Sequence, residues 1–507
     1  MRIGIDLDNT IVNYDHVFKS IAYKNKLINK NWSGTKSQLK KKITKNYSVE
    51  KWKKLQGLAY GRYMNAAVIN QGFKNFYQFS KIFNCNVFIV SHKTKYGHYD
   101  KSKISLRNEA SKWIKKNVGI KENNIFFEES IEDKIKRINK LNLDYFIDDL
   151  LIILNNKHLS KKIKKIHYSD LLTWSKIKDN IFDINKEKNL QKVFEFILKK
   201  RIKKIIRLKK LRNSKIYKCY CVDKSKYLIK NYPDYDLDLR ARLKRELVSL
   251  NLLKRLHFTN ITKIKNTNLL VNCASFKWID GRKISKINNK DLLETSNFIG
   301  KLYSIKRKTT DNYPYNAVES CKNVNDIIDQ INDKYKSLIL NKSLPVVLRN
   351  FLIKKIRYKI NNFKVKKKYL NNIKKRYEIL SPSDFGFHNS LRRDKKIIFF
   401  DFEYFGKDDP VKLVADFLLH PGMKIKDCQK KFWFNKVKKI FRKDKDFQNR
   451  LIYYLPFYAI RWSLIILNEF RFNNSFRFNK TRMLVQLNKA KRMLKICEEE
   501  LFLKWVN

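Results

Sequence analysis

The chain has 507 residues, 43% of them hydrophobic and 13% aromatic, which predicts roughly two to four folded domains and excludes an intrinsically disordered protein. Its 113 Lys and Arg against 47 Asp and Glu give a formal net charge of +66, which favours nucleic acid, anionic membrane or phosphorylated ligands as partners. AT-rich coding produces the same bias, with abundant lysine and only 12 Gly and 7 Pro, so the charge alone selects no partner.

The cysteine content and the apolar runs predict a cytoplasmic location. The seven cysteines are scattered and lack the paired spacing of a zinc site, which is typical of reduced thiols. Residues 2–7 follow Met1 as a strand-like segment and do not resemble a signal peptide. The longest apolar run, 451–467, is interrupted by Pro456, Arg461 and Ser463, so we expect a buried helix there.

Residues 1–170 alternate short apolar runs with helical patterns. This alternation predicts an α/β Rossmann-like parallel sheet with helices on its faces. Residues 14–80 have no such strand pattern and are interpreted as a helical cap inserted after the first strand. The strand-like runs are 2–7, 87–90, 125–127 and 145–147, and the helical patterns between them are 103–116 and 131–141.

Acidic and polar residues follow three of these predicted strands. In parallel α/β sheets ligands bind at the carboxyl ends of the strands, so these side chains are expected to converge on one cleft. A carboxylate nucleophile and a bound cation are what phosphoester hydrolysis in two steps requires. The candidate residues are Asp6, Asp8 and Thr10 after the first strand, Ser91 after the second, Lys134 on a helix, and Asp148 and Asp149 after the last.

The order Asp-x-Asp-x-Thr, strand-end Ser, Lys and Asp-Asp resembles the four motifs of haloacid dehalogenase superfamily phosphatases over residues 1–170. The resemblance implies that Asp6 attacks the phosphorus of a phosphomonoester and forms an aspartyl-phosphate. It also implies that Asp8 protonates the leaving group and then activates water. A Mg²⁺ ion would be held by Asp6, Asp148 and Asp149.

The same resemblance implies a set of residues that bind the phosphoryl group. These residues would be Thr10, Ser91 and Lys134. Lys136 and Lys140 lie close by in the sequence and remain alternatives to Lys134.

The chain becomes polar and lysine-rich after residue 170. We interpret 171–204 as a basic linker, 205–282 as a small lobe containing strands, and 283–507 as a mostly helical lobe. Within the small lobe, 226–230 and 269–279 are predicted strands, and the leucine spacing of 239–256 predicts an amphipathic helix. A further apolar strand is predicted at 396–400.

A second group of polar residues follows the pattern that phosphoryl transfer from a nucleotide requires. Such a site needs a residue that orients the acceptor hydroxyl, ligands for magnesium, and a cation on the nucleotide phosphates. Asp384 is followed five residues later by Asn389, and Asp401 ends the strand at 396–400. Upstream, Lys230 ends a strand and Glu246 lies on the next helix.

This second pattern resembles the aminoglycoside phosphotransferase and choline kinase family over residues 205–480. The resemblance implies a two-lobed protein-kinase-like α+β domain that transfers phosphoryl from ATP to a small-molecule hydroxyl. Asp384 would be the catalytic base. The other implied roles are Mg²⁺ binding by Asn389 and Asp401, nucleotide-phosphate binding by Lys230 with Glu246 holding it, and adenine binding beside Trp278 and Asp280.

Two positions depart from the family pattern. Pro382 stands where the family usually has a histidine, two residues before the catalytic aspartate. The stretch 213–217, expected to cover the phosphates, contains no glycine, which weakens the prediction of close backbone approach. His388, near the predicted base, is given no role because a histidine beside such a loop is more often a packed or hydrogen-bonded side chain than a base.

The sequence therefore predicts a bifunctional phosphotransferase with a kinase site and a phosphatase site, each using Mg²⁺. The alternative is a catalytically inactive scaffold or a nucleic-acid-binding protein that uses the positive charge. The basic residues are spread over the whole chain and no recognised nucleic-acid motif is present. Attachment of the basic linker to anionic membrane is a further alternative.

Overall fold

A computed structural model describes residues 1–99, 103–208, 214–234, 238–471 and 480–506. Asn213, the first residue of the glycine-free stretch, lies outside the described residues. The chain divides into two compact units, Met1–Leu239 with Asn266–Ser275 and Arg240–Lys265 with Phe276–Asn507. Among the described residues, no helix has both the length and the apolar character needed to cross a lipid bilayer.

The first unit is built on a five-stranded parallel sheet with the strand order β5-β4-β1-β6-β7. The predicted parallel sheet is therefore confirmed. The central strand is buried because its residues Ile3 and Ile5 are fully enclosed by the packing on both faces. The five strands of this sheet are β1 (Arg2–Ile5), β4 (Asn86–His92), β5 (Ile125–Glu128), β6 (Tyr145–Asp148) and β7 (Lys164–His167), and β2 (Val12–Asn13) and β3 (Val68–Ile69) form a separate antiparallel pair.

Nine helices accompany these strands in the described part of residues 1–239. Three of them lie in the segment predicted as a helical cap, and two have well-formed starts: Thr35 and Gln38 cap the second helix reciprocally, and Ser48 caps the third. The helices are α1 (Asp15–Lys24), α2 (Lys36–Asn46), α3 (Val49–Tyr60), α4 (Phe73–Ile82), α5 (Leu106–Asn117), α6 (Ile131–Lys140), α7 (Leu151–Leu154), α8 (Trp174–Phe182) and α9 (Glu187–Leu198).

The predicted basic linker at 171–204 is wrong, because this segment forms α8 and α9. Trp174 is completely buried, and its indole Nε1 donates to the backbone oxygen of Thr10 at 3.0 Å. Helix α9 buries an apolar stripe and exposes most of its lysines. Lys176, Lys188 and Lys192 lie on the exposed faces of these helices, whereas Lys203 and Lys204 belong to β8 (Ile202–Leu208), so the lysine-rich composition did not mark a linker.

Replacing Trp174 by alanine is expected to destabilise the first unit. The ring packs against Phe73 and Phe76, with centroid distances of 4.9 and 4.7 Å. Removing so large a buried side chain typically costs about 3–5 kcal/mol of unfolding free energy. Urea denaturation followed by circular dichroism measures this. Leu171→Ala, at a side chain that is 84% exposed, is the control and should change stability by less than about 0.5 kcal/mol.

A second sheet in the chain is antiparallel between its strands β8, β9 and β10. Its strand order is β11-β12-β10-β9-β8. The strands predicted at 226–230 and 269–279 correspond to β10 and β12. The strands are β8 (Ile202–Leu208), β9 (Lys215–Cys221), β10 (Lys226–Asn231), β11 (Ile264–Asn268) and β12 (Cys273–Lys277).

The second unit is mostly helical. Two short antiparallel strand pairs, β13 with β16 and β14 with β15, hold the loops that carry its polar site. The apolar run at 451–467 forms a largely buried helix, as predicted. The helices are α10 (Arg242–Arg255), α11 (Asn289–Tyr303), α12 (Arg307–Asp311), α13 (Val324–Ile339), α14 (Val346–Phe351), α15 (Tyr358–Asn361), α16 (Pro410–Leu419), α17 (Asp427–Ile440), α18 (Phe447–Ile466), α19 (Lys480–Glu498) and α20 (Leu503–Val506). The strands are β13 (Ile379–Ser381), β14 (Ser390–Arg393), β15 (Lys396–Phe399) and β16 (Gly406–Asp408).

Two candidate functional sites

The first site lies at the carboxyl end of the parallel sheet, where a buried lysine joins two carboxylates. Lys134 Nζ lies 2.6 Å from Asp6 Oδ1 and 2.7 Å from Asp148 Oδ2. All three residues are at most 5% exposed. The alternatives Lys136 and Lys140 are on the exposed face of α6. The helix periodicity therefore directs Lys134 alone toward the sheet.

The carboxylates of this site are crowded enough to favour a bound cation. Burial and the neighbouring carboxylates raise the pKa of Asp6 to about 7, although Lys134 opposes this. Burial and Asp6 likewise raise the pKa of Asp149 to about 6. Asp6, Asp148 and Asp149 each offer an oxygen, and these oxygens lie within 4.8 Å of one another. Carboxylate oxygens are ligands that Mg²⁺ accepts, so this group fits the ion.

Asp8 is held by two donors that the sequence analysis did not identify. Lys93 Nζ lies 2.8 Å from Asp8 Oδ2, and the Tyr14 hydroxyl donates to Asp8 Oδ1 at 2.5 Å. Burial alone would raise the pKa of Asp8, but Lys93 and Tyr14 hold it below its usual value. Lys93 directly follows β4, two residues after Ser91, and this position at a strand end was the available signal.

Thr10 and Ser91 occupy different chemical surroundings. Thr10 is fully buried, and its hydroxyl donates to Asp149 Oδ1 at 3.3 Å. The hydroxyl of Ser91 is buried and has no hydrogen-bond partner among the described residues. Ser91 also lines a cavity of about 760 Å³, together with Asp6, Asp8 and Lys134. Its hydroxyl is therefore placed to receive a ligand, whereas the Thr10 hydroxyl orients Asp149.

The second site, in the second unit, is built around Asp384. The Asn389 side-chain amide donates to Asp384 Oδ2 at 3.2 Å and to the Asp384 backbone oxygen at 2.9 Å. The backbone N–H of Phe400 donates to the Asn389 backbone oxygen at 3.1 Å. This bond aligns the end of β15 with the Asp384 loop, and Asp401 follows immediately with a left-handed φ of 69°.

Two histidines surround the Asp384 carboxylate. His388 Nε2 lies 2.8 Å from Asp384 Oδ1, and His420 Nε2 lies 3.9 Å from the same oxygen. The two imidazole rings stack with centroids 3.8 Å apart. Burial alone would raise the pKa of Asp384, but His388, His420 and Asn389 hold it well below its usual value. His388 is therefore a hydrogen-bonded side chain beside the predicted base, a contact that the four-residue separation allows.

Three hydrogen bonds hold the loop at Pro382, the position that departs from the kinase pattern described in the sequence analysis. The backbone N–H of Ser383 donates to the Ser381 hydroxyl at 3.0 Å. The buried Lys412 ammonium donates to the Ser383 hydroxyl at 3.0 Å. The backbone N–H of Asp384 donates to the Pro382 oxygen at 2.9 Å. These bonds fix the turn that presents Asp384.

Asp401 belongs to an acidic group with two glutamates. One carboxylate oxygen from each of Glu246, Asp401 and Glu403 lies within 4.8 Å of the others. Glu246 Oε1 also accepts the backbone N–H of Phe402 at 3.2 Å. Oxygen donors of this kind fit Mg²⁺. The structure therefore places Glu246 and Glu403, neither of them a predicted metal ligand, beside the predicted ligand Asp401.

The remaining predicted nucleotide-binding residues lie on separate parts of the chain. Lys230 is buried on β10 of the first unit, with its Nζ 4.8 Å from the centre of the Tyr232 ring. Its pairing with Glu246 stays a prediction. In the second unit, the Trp278 indole Nε1 donates to Asp280 Oδ1 at 2.9 Å, and the predicted contact of this pair with adenine also stays a prediction.

No protein-family model and no curated protein matches the chain. Solved structures of small-molecule phosphotransferases are similar to it over about 60% of its length. An amicoumacin kinase bound to AMP-PNP and Ca²⁺ is 13% identical over 61% of this chain and 93% of its own, with a TM-score of 0.42. The choline kinase LicA from Streptococcus pneumoniae is 14% identical over 61% and 99%, with a TM-score of 0.39. A macrolide 2'-phosphotransferase is 10% identical over 61% and 97%, with a TM-score of 0.41.

Proposed function

We propose that the chain is a bifunctional phosphotransferase. Its second unit carries the catalytic base for a reaction in which the phosphoryl group of ATP is transferred to the hydroxyl of a small molecule. Its first unit hydrolyses a phosphomonoester. Both activities on one substrate would form a futile cycle, so the two sites act on different metabolites.

The kinase proposal depends on one observation, the contact network of Asp384. His388 and Asn389 donate to its carboxylate, and the Asn389–Phe400 backbone bond brings the acidic group at Asp401 to the same loop. Asp384 orients the acceptor hydroxyl and takes its proton as the oxygen attacks the γ-phosphorus, while the bond from the γ-phosphorus to the bridging oxygen breaks and ADP leaves. Its low pKa suits a proton transfer that comes late in the reaction. Mg²⁺ held by Asn389 and Asp401, with Glu246 and Glu403 nearby, would neutralise charge on the phosphates.

A direct test of the kinase is ATP consumption by the purified full-length protein in Mg²⁺. The acceptor panel contains amino alcohols, sugars and aminoglycosides, and the product is identified by mass spectrometry. Acceptor-dependent ADP formation with one phosphate added to the acceptor supports the proposal. Absence of ATP binding by calorimetry, together with no turnover on any acceptor, would reject it.

His388 is expected to position Asp384 for this reaction. His388→Ala should lower kcat about tenfold to a hundredfold, because a small misplacement of the base is costly. The KM for ATP should stay near its wild-type value. His388→Gln, which keeps a side-chain N–H donor, should recover part of kcat. The exposed His257→Gln serves as the control, and equal losses in the Ala and Gln variants of His388 would argue against the donor role.

The hydrolase proposal depends on the bridge that Lys134 forms between Asp6 and Asp148. Lys134 contacts Oδ1 of Asp6, and Oδ2 is the oxygen that attacks phosphorus. The P–O bond to the alcohol breaks, Asp8 protonates the departing oxygen, and water then hydrolyses the aspartyl-phosphate with Asp8 as base. Mg²⁺ on Asp6, Asp148 and Asp149 would offset charge on the phosphoryl oxygens.

The contact between Lys93 and Asp8 links substrate binding to the protonation of Asp8. An anionic phosphoryl group competes with Asp8 for the Lys93 ammonium, which weakens the interaction that keeps the pKa of Asp8 low. Binding of the phosphomonoester therefore favours the protonated form of Asp8 that the first step needs.

Phosphate release from a panel of phosphomonoesters, in Mg²⁺ and without ATP, tests the hydrolase. Release that EDTA abolishes and Mg²⁺ restores supports it. A panel of sugar, nucleoside and glycerol phosphates that gives no release above the buffer rate would reject it.

A further inference from the structure

The cavity above the first site extends well beyond the space that a phosphoryl group fills. Its volume is about 760 Å³, and helices α2 and α3 of the cap segment supply part of its lining. Lys36 and Lys40 are four residues apart on α2 and so share one face. Lys53, Gln56 and Tyr60 follow one another at helical spacing on α3. The leaving group of a bound phosphomonoester would occupy this space.

The polar side chains on this cap face are mostly hydrogen-bond donors. Lys36, Lys40 and Lys53 contribute three positive charges. The acidic residue of the cap that also lines the cavity is Asp15, and its Oδ1 already accepts the backbone N–H of Lys36 at 3.1 Å. Within the described ranges, neither Lys40 nor Lys53 forms an ion pair.

One further donor on this face, Trp52, and the hydrogen bonds of Lys36 indicate an acceptor-rich ligand. The Trp52 side chain is 2% exposed, lines the cavity, and its indole Nε1 has no acceptor among the described residues. A buried donor without an acceptor is costly, which favours an acceptor supplied by a ligand. Lys36 Nζ donates to Asn9 Oδ1 at 2.6 Å and to the Tyr60 hydroxyl at 2.8 Å, which fixes the ammonium above the reaction centre. An ammonium has three hydrogens, so one is left for a ligand.

We infer that this cap face is a subsite for a second anionic group, so that the substrate of the first site is a phosphomonoester that also carries a phosphate or a carboxylate. The inference rests on the proposed hydrolase and names its substrate class. The group transferred to Asp6 and the group bound by the cap are different parts of one molecule. Charge-assisted hydrogen bonds from Lys40 and Lys53 hold the second group.

Calorimetric titration of the Asp6→Asn protein in Mg²⁺ tests the subsite without turnover. Fructose 1,6-bisphosphate is compared with fructose 6-phosphate, and 3-phosphoglycerate with glycerol 3-phosphate. The ligand with the second anion should bind about tenfold to a hundredfold more tightly within at least one pair. If only fructose 1,6-bisphosphate binds more tightly than its partner ligand, the second anionic group that the cap binds is a phosphate. If only 3-phosphoglycerate does, that group is a carboxylate.

Matched variants separate the subsite from the general positive charge of the protein. Adding Lys40→Gln and Lys53→Gln should remove the preference, whereas Lys41→Gln and Lys54→Gln, neighbouring lysines outside the cavity lining, should keep it. Equal affinities within both pairs, or equal loss in both double variants, overturn the inference. Phosphate release by the wild-type protein is measured in parallel. Phosphate release by the wild-type protein with equal affinities within both ligand pairs rejects the subsite alone. Tighter binding of the ligand with two anionic groups, but no phosphate release, rejects the hydrolase alone.

Discussion

Asp384→Asn should lower acceptor-dependent ATP turnover about a thousandfold, as loss of a general base typically does. The amide has nearly the shape of the carboxylate but does not accept the proton of the acceptor hydroxyl. It also places an N–H or a weaker acceptor opposite the donors of His388 and Asn389. The measurement is kcat for the best acceptor found in the panel, with the KM for ATP determined at the same time.

The control for this variant is Asp394→Asn. Asp394 lies in the turn between β14 and β15, and its side chain is 84% exposed. The same change of charge at this position should leave kcat unchanged. Hydrolysis of phosphomonoesters by the Asp384→Asn protein should also stay at the wild-type rate, because Asp6 and Asp384 belong to different units. Wild-type kinase turnover in Asp384→Asn would remove Asp384 as the base.

Local sequence patterns were sufficient to predict the parallel sheet and the convergence of the first site. Strand-length apolar runs ending in Asp6, Ser91 and Asp148 place these residues at one edge, because parallel strands point the same way. The choice among Lys134, Lys136 and Lys140 stayed open in the sequence, and it is the structure that places Lys134 on the buried face of α6. For these strand ends the local pattern and the sheet topology agree, so their convergence could be predicted without knowing any contact between distant residues.

Contacts between distant residues could not be read from these patterns. Lys93 and Asp8 are 85 residues apart, and nothing in either local sequence specifies their pairing. His420 stacks on His388 from the end of α16, and Glu403 joins Asp401 and Glu246 through the folding of the second unit. Each of these contacts depends on packing that only the folded chain supplies.

Composition misled the sequence analysis where it outweighed periodicity. Lysines in 171–204 suggested a basic linker, whereas Leu190, Val193, Phe194 and Ile197 follow the helical period and are buried. Counting apolar positions at spacings of three and four residues would have predicted α9. In a chain with 113 Lys and Arg, lysine density therefore says little about local structure.

Asp6→Asn should lower phosphomonoester hydrolysis by about 10⁴-fold or more, because the amide is a poor nucleophile and the covalent step is lost. In the wild-type protein, a hydroxylamine-sensitive phosphoryl group on the chain should form during turnover, and Asp6→Asn should not show it. Lys134 keeps its bond to Asp148 in the variant, so the fold of the site is expected to persist.

The exposed Glu132→Gln on α6 is the matched control for Asp6→Asn and should hydrolyse the substrate at the wild-type rate. Kinase turnover by Asp6→Asn should also be unchanged. Loss of kinase turnover in Asp6→Asn, or of hydrolysis in Asp384→Asn, would contradict two independent sites. Asp6 and Asp384 lie in different units, so selective loss of one activity in each variant is the result expected of two independent active centres in one chain.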